Sequence, residues 1–232
     1  MKKNASPESR VHRRFAVLAA DVALFTLRDN QLYVRMMAVH RPPHFPEARG
    51  LPGGLIDAKE TAEDTAKRLM KTRARVNPTH VHLEQLYTFS RIDRDPRARV
   101  VSVGYLGLAP WGSLSESEQA DTVDAWWEKA STPGHLAYDH DELLALALQR
   151  LRSRIHYTTL IGKLMPQEFT LTELELSYEH ILKTALDKRN FRKKILKLKI
   201  LKPLQKKRAG GRSRPAQLYR FLSPKVSEIE VI

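Results

Sequence analysis

The sequence contains no cysteine among its 232 residues. This absence excludes disulfide bonds, thiolate metal sites and cysteine nucleophiles, and it suits a reducing cytoplasm, where we expect the protein to act. Long apolar runs are also missing, because the run that follows the basic N-terminus stops at Asp21 and none has the length needed to span a bilayer. We therefore expect neither a signal peptide nor contact with a membrane.

Acidic residues are scarce in the C-terminal part of the chain. Residues 150–232 hold 20 Lys and Arg against 7 Asp and Glu, a net charge of +13, whereas residues 1–149 hold 20 against 19, a net charge of +1. This contrast predicts a near-neutral domain over residues 15–150, after a flexible tail at 1–14, and a basic domain over residues 151–232. Dense basic charge in a foldable segment favours nucleic acid as a partner, although general attraction to polyanions is an alternative.

The near-neutral part mixes strand and helix signals, which predicts an α+β domain. Two apolar segments on either side of Asp29 and Asn30 predict a β-hairpin. Three prolines in residues 41–50 predict a loop without regular structure. Helical periodicity that begins near Thr61 predicts a helix over residues 58–75. Strands are predicted over residues 15–27, 31–40, 80–89 and 100–109, and around Trp126 and Trp127.

The basic part has the pattern of a winged helix-turn-helix domain. An amphipathic helix over residues 139–160 predicts the connector between the two domains. Thr172, with Glu175 three residues later, has the spacing of a capping box and predicts the start of a first short helix. A second helix, Lys188–Lys199, follows Asp187 as its N-cap. Two short strands, residues 200–204 and 217–222, enclose a basic turn at 205–215 and predict the wing.

The segment Leu51–Val76, LPGGLIDAKETAEDTAKRLMKTRARV, resembles the Nudix box, a signature of enzymes that split nucleoside diphosphates linked to another group. The family pattern is G-x5-E-x7-R-E-U-x-E-E-x-G-U, where U is aliphatic, and it matches at Gly54, Glu60 and Arg68. Three further acidic positions and the second glycine of the pattern are occupied here by Leu69, Thr72, Arg73 and Arg75.

These replacements remove the chemistry of the motif. Positions 69, 72 and 73 would share one helix face, where carboxylates would hold divalent cations beside a pyrophosphate and activate a water molecule. We therefore predict no catalytic residues, no metal ligands and a domain that binds its ligand without hydrolysing it. One alternative is an active hydrolase of ADP-ribose or a related nucleoside diphosphate, with displaced metal ligands such as Glu60, Glu63 or Asp64. Another is a nucleic-acid-binding protein whose Nudix fold is only a dimerisation scaffold.

The Nudix-like segment, the stretch Leu86–Leu108 and a basic winged module ending in RSRPAQLYRF together resemble the NrtR family, which are transcriptional repressors of NAD-biosynthesis genes. The resemblance implies an N-terminal Nudix fold, with a mixed sheet between helices, and a C-terminal winged helix-turn-helix domain. It also implies a bacterial homodimer that binds palindromic double-stranded operator DNA. The implied effector is ADP-ribose or a related NAD metabolite, without any cofactor.

For the effector, we predict a pocket above the LPGG turn. Arginine is suited to bidentate contacts with phosphate, glycine lets a ligand approach the backbone, and an aromatic ring can stack on adenine. The predicted effector-binding residues are Arg35, Arg49, Pro52, Gly53, Gly54, Arg73, Phe89, Arg94 and Asp95. The alternatives are surface ion pairs for the arginines and core packing for Phe89.

For DNA, we predict that Lys188–Lys199 is the recognition helix. Asparagine reads adenine, arginine reads guanine and lysine contacts phosphate, whereas basic residues of a wing reach the backbone or the minor groove. The predicted DNA-binding residues are Arg189, Asn190, Arg192, Lys193, Lys194, Arg212 and Arg214. A solvated basic face is the alternative.

Overall fold

The computed structural model describes residues 16–131, 133–210 and 213–229, which form a seven-stranded sheet with helices and a C-terminal helical unit with a three-stranded sheet. The strands are β1 (Val17–Arg28), β2 (Gln31–Arg41), β3 (Phe45–Gly50), β4 (Gly53–Leu55), β5 (His82–Phe89), β6 (Val100–Leu108), β7 (Ala125–Lys129), β8 (Phe169–Thr170), β9 (Leu201–Gly210) and β10 (Ser213–Phe221). The α-helices are α1 (Ala62–Leu69), α2 (Glu116–Gln119), α3 (His140–Tyr157), α4 (Leu171–Leu182) and α5 (Lys188–Lys197). This content confirms the predicted α+β class.

The large sheet is mixed. Its strand order is β3-β2-β1-β6-β5, with β4 paired to β1 and β7 paired to β2. The predicted hairpin is confirmed, because β1 and β2 are antiparallel and are joined at Asp29 and Asn30, whose φ angles are 50° and 58°. Strands β1 and β6 are parallel. A parallel pair needs a long crossover, and the segment between these strands contains α1 and β5.

Side chains of β1 alternate between two hydrophobic clusters, as the period of a strand requires. Val22 and Leu24 pack on the side of α1, whose Leu69 belongs to the same cluster. Phe25 points to the opposite cluster, which contains Leu143 of α3. The sheet is therefore covered by α1 on one face and by α3 on the other, and this layering sets where a ligand can enter.

The proline-rich segment was predicted wrongly as a loop. Residues Phe45–Gly50 form β3, which pairs with β2. Proline has no backbone N–H group to donate to a neighbouring strand. Pro46 is tolerated because β3 lies at the edge of the sheet, where no strand of the described residues lies on its outer side and needs that donor. The turn before β3 contains Pro42 and Pro43, so the proline content marks the turn rather than the whole segment.

Helix α1 begins after its N-cap Thr61, later than the predicted start at residue 58. The Thr61 side chain accepts a hydrogen bond from the backbone N–H of Asp64, as the sequence signal indicates, while the Asp64 carboxylate accepts from the backbone of Thr61. A π-helical turn, Met70–Ala74, follows α1. Arg75 then adopts a left-handed conformation with φ of 57°. Arg75 occupies the second glycine position of the Nudix pattern, so the backbone keeps a conformation that suits glycine although the glycine itself is absent.

Helix α3 connects the two halves of the chain. Its buried residues belong to one continuous hydrophobic cluster that reaches from Phe25 in the large sheet to Phe191 in α5. The helix is shorter than the predicted 139–160, because residues 159–163 form a 3-10 turn. Arg152 of α3 also donates to the backbone oxygen of Ile181 at the end of α4 (2.9 Å), so α3 is tied to the C-terminal helices by a hydrogen bond as well as by packing.

Helices α4 and α5 confirm the predicted helix-turn-helix, but the first N-cap was misplaced by two residues. Thr170, not Thr172, caps α4, and Glu173 completes the capping box. An N-cap residue has an extended backbone, and Thr170 is extended because it ends β8, which pairs with β10. Thr172 and Glu175 therefore lie inside the helix, where their side chains are available for other contacts.

The predicted wing exists as an antiparallel pair, β9 and β10, whose strands are longer than expected. Most of the basic segment assigned to the turn belongs to these strands. Pro203 fits in β9 because this strand is the outer one of the order β8-β10-β9. Within the described residues, no helix has the length and hydropathy required to cross a membrane.

Candidate functional site

A cavity of about 520 Å³ opens at the end of the large sheet beside the LPGG turn. Of the residues predicted to bind the effector, Gly53 and Gly54 of β4 form one wall, and Arg73 of the π-helical turn, Arg94 and Asp95 also contribute to the lining, so their role in binding stays a prediction. Other polar residues also line the cavity, and no sequence motif points to them: Asp21, Arg41, Arg97, Tyr138 and His140. The cavity has the size of a small-ligand site and combines apolar strand residues with a few converging polar groups.

Arg35 was predicted to bind the effector, and the structure places it elsewhere. Its side chain is fully buried on the α1 side of the sheet, where Nε donates to the backbone oxygen of Ala74 (2.9 Å) and Nη1 to that of Ala120 (3.3 Å). The guanidinium also lies 5.2 Å from the ring centre of Trp127. Burial lowers the pKa of Arg35 to about 10. Arg35 therefore holds the end of the Nudix-like helix segment against the sheet.

Arg49 and Pro52 also lie outside the residues that line the cavity. The guanidinium of Arg49 contacts both carboxylate oxygens of Glu128 (3.0 and 3.1 Å) and the backbone oxygen of Pro133, so it joins β3 to the end of β7. Pro52 is buried and its backbone oxygen accepts from the N–H of Val22 (2.8 Å). Both residues support the turn that carries the cavity wall.

Phe89 packs in the core, which was the alternative reading of this residue. It is 6% exposed, and its ring meets Tyr87 edge to face at 5.4 Å. A Cβ atom on Gly104 would lie 2.6 Å from this ring, so the opposite strand is shaped around the phenylalanine. Stacking on adenine would require Phe89 to leave this environment.

The floor of the cavity is a buried network of charges. Arg94 lies between two carboxylates, with Nη2 2.9 Å from Asp21 Oδ2 and 2.7 Å from Asp139 Oδ1. The hydroxyl of Ser102 donates to Asp21 Oδ2 at 2.6 Å. All four residues are almost fully buried. The network joins β1, β6 and the N-cap of α3, so contacts at the floor of the cavity reach the helix that leads to the C-terminal domain.

His140 completes this network. The backbone N–H of Leu51 donates to His140 Nδ1 (2.9 Å), which must therefore be unprotonated, so the ring proton is on Nε2, 3.4 Å from Asp21 Oδ1. Burial raises the pKa of Asp21, but His140, Arg94 and Ser102 together lower it more, and the pKa falls to about 2. Asp21 is therefore ionised at neutral pH.

Glu60 and Arg68, which match the Nudix pattern, form an ion pair in the structure. Arg68 Nε lies 2.7 Å from Glu60 Oε1, and Arg68 Nη2 donates to the backbone oxygen of Leu55 (3.2 Å), which secures the wall of the cavity. Hydrogen bonds from Arg68 and Thr65 lower the pKa of Glu60 to about 2. Glu63 forms an ion pair with Lys67 (2.6 Å), so the carboxylates proposed as displaced metal ligands each have an intramolecular partner, with Asp64 in the capping box.

The positions that lack the family carboxylates have three different environments. Leu69 is buried beneath Gly54, and a Cβ atom on that glycine would approach it to 2.9 Å. The hydroxyl of Thr72 donates to the backbone oxygen of Arg68. Arg73 is exposed and lines the cavity without an ion-pair partner among the described residues. A cation thus stands at the cavity where the family pattern has an anion.

The exposed face of α5 carries most of the residues predicted to bind DNA. Arg189, Asn190 and Lys193 are exposed, and Lys194 is partly buried. Phe191 and Ile195 point inward and anchor the helix in the core. Arg212 lies outside the described residues, as does the side chain of Arg214, whose backbone belongs to β10.

Arg192 is placed differently from the other predicted DNA contacts. Its Nη2 donates to Thr172 Oγ1 (2.8 Å), and its Nε lies 3.4 Å from Glu175 Oε2. Both partners belong to α4, so in this structure Arg192 faces the preceding helix. The sequence periodicity of α5 alone does not predict the contact of Arg192 with Thr172 and Glu175, because these partners belong to α4.

Comparison with known proteins agrees with this architecture. A family model described as a NUDIX domain matches residues 17–147, and one described as the NrtR DNA-binding winged helix domain matches residues 161–221. The ADPR responsive transcriptional repressor NtrR of Acinetobacter baylyi is 31% identical over 208 residues, which are 88% of this chain and 82% of that protein.

Solved structures show the same similarity in three dimensions. The crystal structure of Shewanella oneidensis NrtR complexed with a 27mer DNA superposes with a TM-score of 0.77 at 31% identity, over 88% of this chain and 93% of that one. The NUDIX domain of the same protein, complexed with ADP ribose, covers 60% of this chain and 90% of its own length at 32% identity, with a TM-score of 0.51. The chain therefore belongs to the NrtR family, with a Nudix domain followed by a winged helix domain.

Proposed function

We propose that this protein is a homodimeric transcriptional repressor of NAD biosynthesis or salvage genes. It binds palindromic operator DNA through the winged domain, residues 151–232, and ADP-ribose releases it from DNA by binding to the Nudix domain, residues 15–150. The observation that carries the proposal is the position of Arg73. It places an exposed cation at a ligand-sized cavity, at a helix position where a hydrolase of this fold would need a metal-binding carboxylate.

The cavity has both basic and acidic lining residues, and this combination suits a ligand that contains a pyrophosphate and sugar hydroxyls. Arg41 and Arg73 line it without an ion-pair partner among the described residues, and they are available for a pyrophosphate. At the floor, the carboxylate of Asp21 lines the cavity, and carboxylates accept hydrogen bonds from sugar hydroxyls. ADP-ribose contains both groups, and its presence on the NUDIX domain of the Shewanella relative supports this choice.

The Nudix domain binds this ligand without splitting it. Metal-assisted hydrolysis of a pyrophosphate needs a cation held near the phosphoryl oxygens, and Leu69, Thr72 and Arg73 provide no oxygen cage at the expected positions. A hydrolase would destroy its own signal, whereas a receptor must keep it. The alternative, an active hydrolase, predicts turnover of ADP-ribose in the presence of Mg²⁺.

The DNA-binding surface is the exposed side of α5. Arg189, Asn190, Lys193 and Lys194 lie on a helix that is capped by Asp187 and packed through Phe191, which is the arrangement of a recognition helix in a major groove. The relatives described above, a transcriptional repressor and a structure in complex with a 27mer DNA, support this role. Operator binding would place the protein at the bacterial nucleoid, in the cytoplasm.

Dimerisation is proposed through the end of the sheet that carries the cavity. Leu18 and Leu55 are large apolar residues that are 51% and 58% exposed, and the N–H of Ile56 bonds to the backbone oxygen of Leu18, so they lie on adjoining strands. Val17 beside them is 39% exposed and lines the cavity together with Leu55. A second copy of the chain would bury these residues, and a ligand in the cavity would then bear directly on the dimer contact.

Effector binding would act through α3. The N-cap of this helix, Asp139, is bound to Arg94 at the cavity floor, and the far part of the helix is bound to α4 through Arg152. A ligand that binds one arrangement of α3 more tightly than another shifts the population of the two. We propose that, in the liganded arrangement, the distance between the two recognition helices of the dimer no longer matches the spacing that the operator requires.

The test uses the full-length protein and an operator selected from random duplexes. DNA affinity is measured by fluorescence anisotropy while ADP-ribose is titrated, and the nucleotide is recovered afterwards and analysed by chromatography. We expect at least a tenfold loss of operator affinity and recovery of intact ADP-ribose with Mg²⁺ present. Unchanged affinity at saturating ADP-ribose would contradict the effector assignment, and release of AMP with ribose 5-phosphate would establish the hydrolase instead.

A further inference from the structure

Two polar residues inside α4 face the recognition helix. Thr172 and Glu175 are three positions apart and therefore share one side of the helix. Neither takes part in capping, because Thr170 and Glu173 supply both halves of the capping box. The backbone groups at the start of α4 are thus satisfied without them, and their side chains remain free to contact α5.

Glu175 is an acid in an almost fully buried position. It is 4% exposed, and its carboxylate lies between two basic residues of α5, with Oε2 3.4 Å from Arg192 Nε and Oε1 3.8 Å from Lys188 Nζ. Arg192 Nη2 also donates to Thr172 Oγ1 at 2.8 Å. Arg192 is therefore drawn to the inner side of α5, away from Arg189, Asn190 and Lys193 on the exposed face, whereas the side chain of Lys188 stays 60% exposed.

The contact is electrostatic more than it is a set of aligned hydrogen bonds. Glu175 Oε2 and Arg192 Nε are buried, and neither has a hydrogen-bond partner among the described residues. Buried ion pairs with incomplete hydrogen bonding contribute little to stability, because desolvation of the two charges offsets their attraction. Stability alone therefore gives no reason for a carboxylate at this position, whereas control of charge on the DNA-binding helix does.

We infer that Glu175 is a specificity-determining positioning residue of the DNA-binding domain, which withholds Arg192 from the phosphates of non-operator DNA. The inference rests on the proposed DNA-binding function. Binding to arbitrary sequence comes almost entirely from neutralised phosphates and released counterions. Because Glu175 holds Arg192, one such contact is removed, while the base-reading groups of the exposed face are unaffected. The ratio of operator to non-operator affinity is thereby increased.

The test is the salt dependence of binding to a non-operator duplex. We compare the wild-type protein with Glu175→Gln, which keeps the size of the side chain and removes its charge, by fluorescence anisotropy over a series of KCl concentrations. The slope of log K against log salt changes by about 0.9 for each phosphate neutralised, so release of Arg192 steepens it by about 0.9. We expect non-operator affinity at low salt to rise roughly tenfold and the operator preference to fall.

The matched control is Glu63→Gln. This substitution also adds one positive charge and also frees a lysine, Lys67, but it lies on α1 in the Nudix domain. It is expected to leave the slope unchanged, which separates a local effect on α5 from the total charge of the protein. The double variant Glu175→Gln with Arg192→Gln should return the slope to about the wild-type value, because the freed cation is then absent.

Several results would overturn the inference. An unchanged slope in a folded Glu175→Gln protein would do so, and so would a parallel loss of operator and non-operator affinity, which is what a merely structural role predicts. If Glu175→Gln does not fold, Arg192→Gln alone gives the answer. Since Arg192 is withheld in the wild type, this variant should keep the wild-type slope on non-operator DNA, and a slope shallower by about 1 would refute the inference. Absence of any DNA binding by the wild-type protein would instead refute the proposed function.

Discussion

A methyl group on Gly53 would lie 1.8 Å from Asp21 Oδ1, closer than any two such atoms can approach. Gly53 was predicted as a position where a ligand approaches the backbone, and the structure shows that the close approach is made by a buried carboxylate of the neighbouring strand. Asp21 in turn positions Arg94. The LPGG turn and the charged floor of the cavity therefore depend on each other through the contact between Gly53 and Asp21.

Gly53→Ala is therefore expected to destabilise the fold and to weaken ADP-ribose binding. The new Cβ must displace the Asp21 carboxylate from Arg94 and Ser102, and overpacking of this kind costs roughly 1–3 kcal/mol in the free energy of unfolding. Urea unfolding and calorimetric titration with ADP-ribose measure the two effects. The control is Gly112→Ala, because a Cβ atom there meets nothing within 4 Å. Equal stability of the two variants would contradict the prediction.

Asp21 should make stability depend on acid pH. Its pKa is about 2 in the folded protein and 3.8 without the fold, so its contribution is complete above pH 4 and is lost as the pH falls through 2. The difference between these pKa values corresponds to about 2 kcal/mol of unfolding free energy. We expect the stability advantage of the wild type over Asp21→Asn to shrink by about that amount between pH 5 and pH 2. An advantage that does not change with pH would show that Asp21 is not the titrating group.

Arg73→Ala should weaken ADP-ribose binding about tenfold without changing stability. Arg73 is exposed and has no ion-pair partner among the described residues, so its removal costs the fold little, whereas a phosphate loses a charge-assisted hydrogen bond. Calorimetric titration gives the affinity and thermal unfolding gives the stability. Lys71→Ala is the control, since Lys71 is an exposed cation in the same π-helical turn but does not line the cavity. A comparable loss in both variants would show a general effect of charge.

Arg189→Ala should weaken operator binding by roughly 1–3 kcal/mol and relax specificity at one base pair, if Arg189 reads a guanine from the exposed face of α5. Anisotropy with operator variants substituted at each position measures both effects. Lys225→Ala, an exposed cation beyond the wing, is the control. Loss of affinity that is equal for operator and non-operator DNA would assign Arg189 to phosphate contact rather than base reading.

Leu18→Asp should convert the protein to monomers. A charge at this 51% exposed position would be buried against the second copy, and an unpaired buried charge is strongly unfavourable. Light scattering coupled to gel filtration gives the mass. Val123→Asp is the control, because Val123 is 91% exposed and precedes β7, which pairs with β2 rather than with β1 or β4. A dimer that survives Leu18→Asp would place the interface elsewhere.

By itself, the sequence determined the local elements, the class of the fold and the family. Strand periodicity, the Thr61 capping signal and the Asp187 N-cap are short-range features, and each predicted helix and strand has a counterpart, although the segment predicted as a loop contains β3 and the wing strands are longer than predicted. The sequence alone also shows that carboxylates are missing at Leu69, Thr72 and Arg73, because helical spacing places these three positions on one face.

Only the tertiary structure decided which charged residues share a site. Arg35 and Arg49 have partners on distant segments, Ala74 and Glu128, and no local pattern shows whether an arginine faces a cavity or a neighbouring backbone. Asp21, which was recognised only as the end of an apolar run, proved to be the centre of the buried network, because the parallel pairing of β1 and β6 brings it to Ser102. Long-range pairing brings together residues far apart in sequence, and the chemistry of the site follows from that pairing.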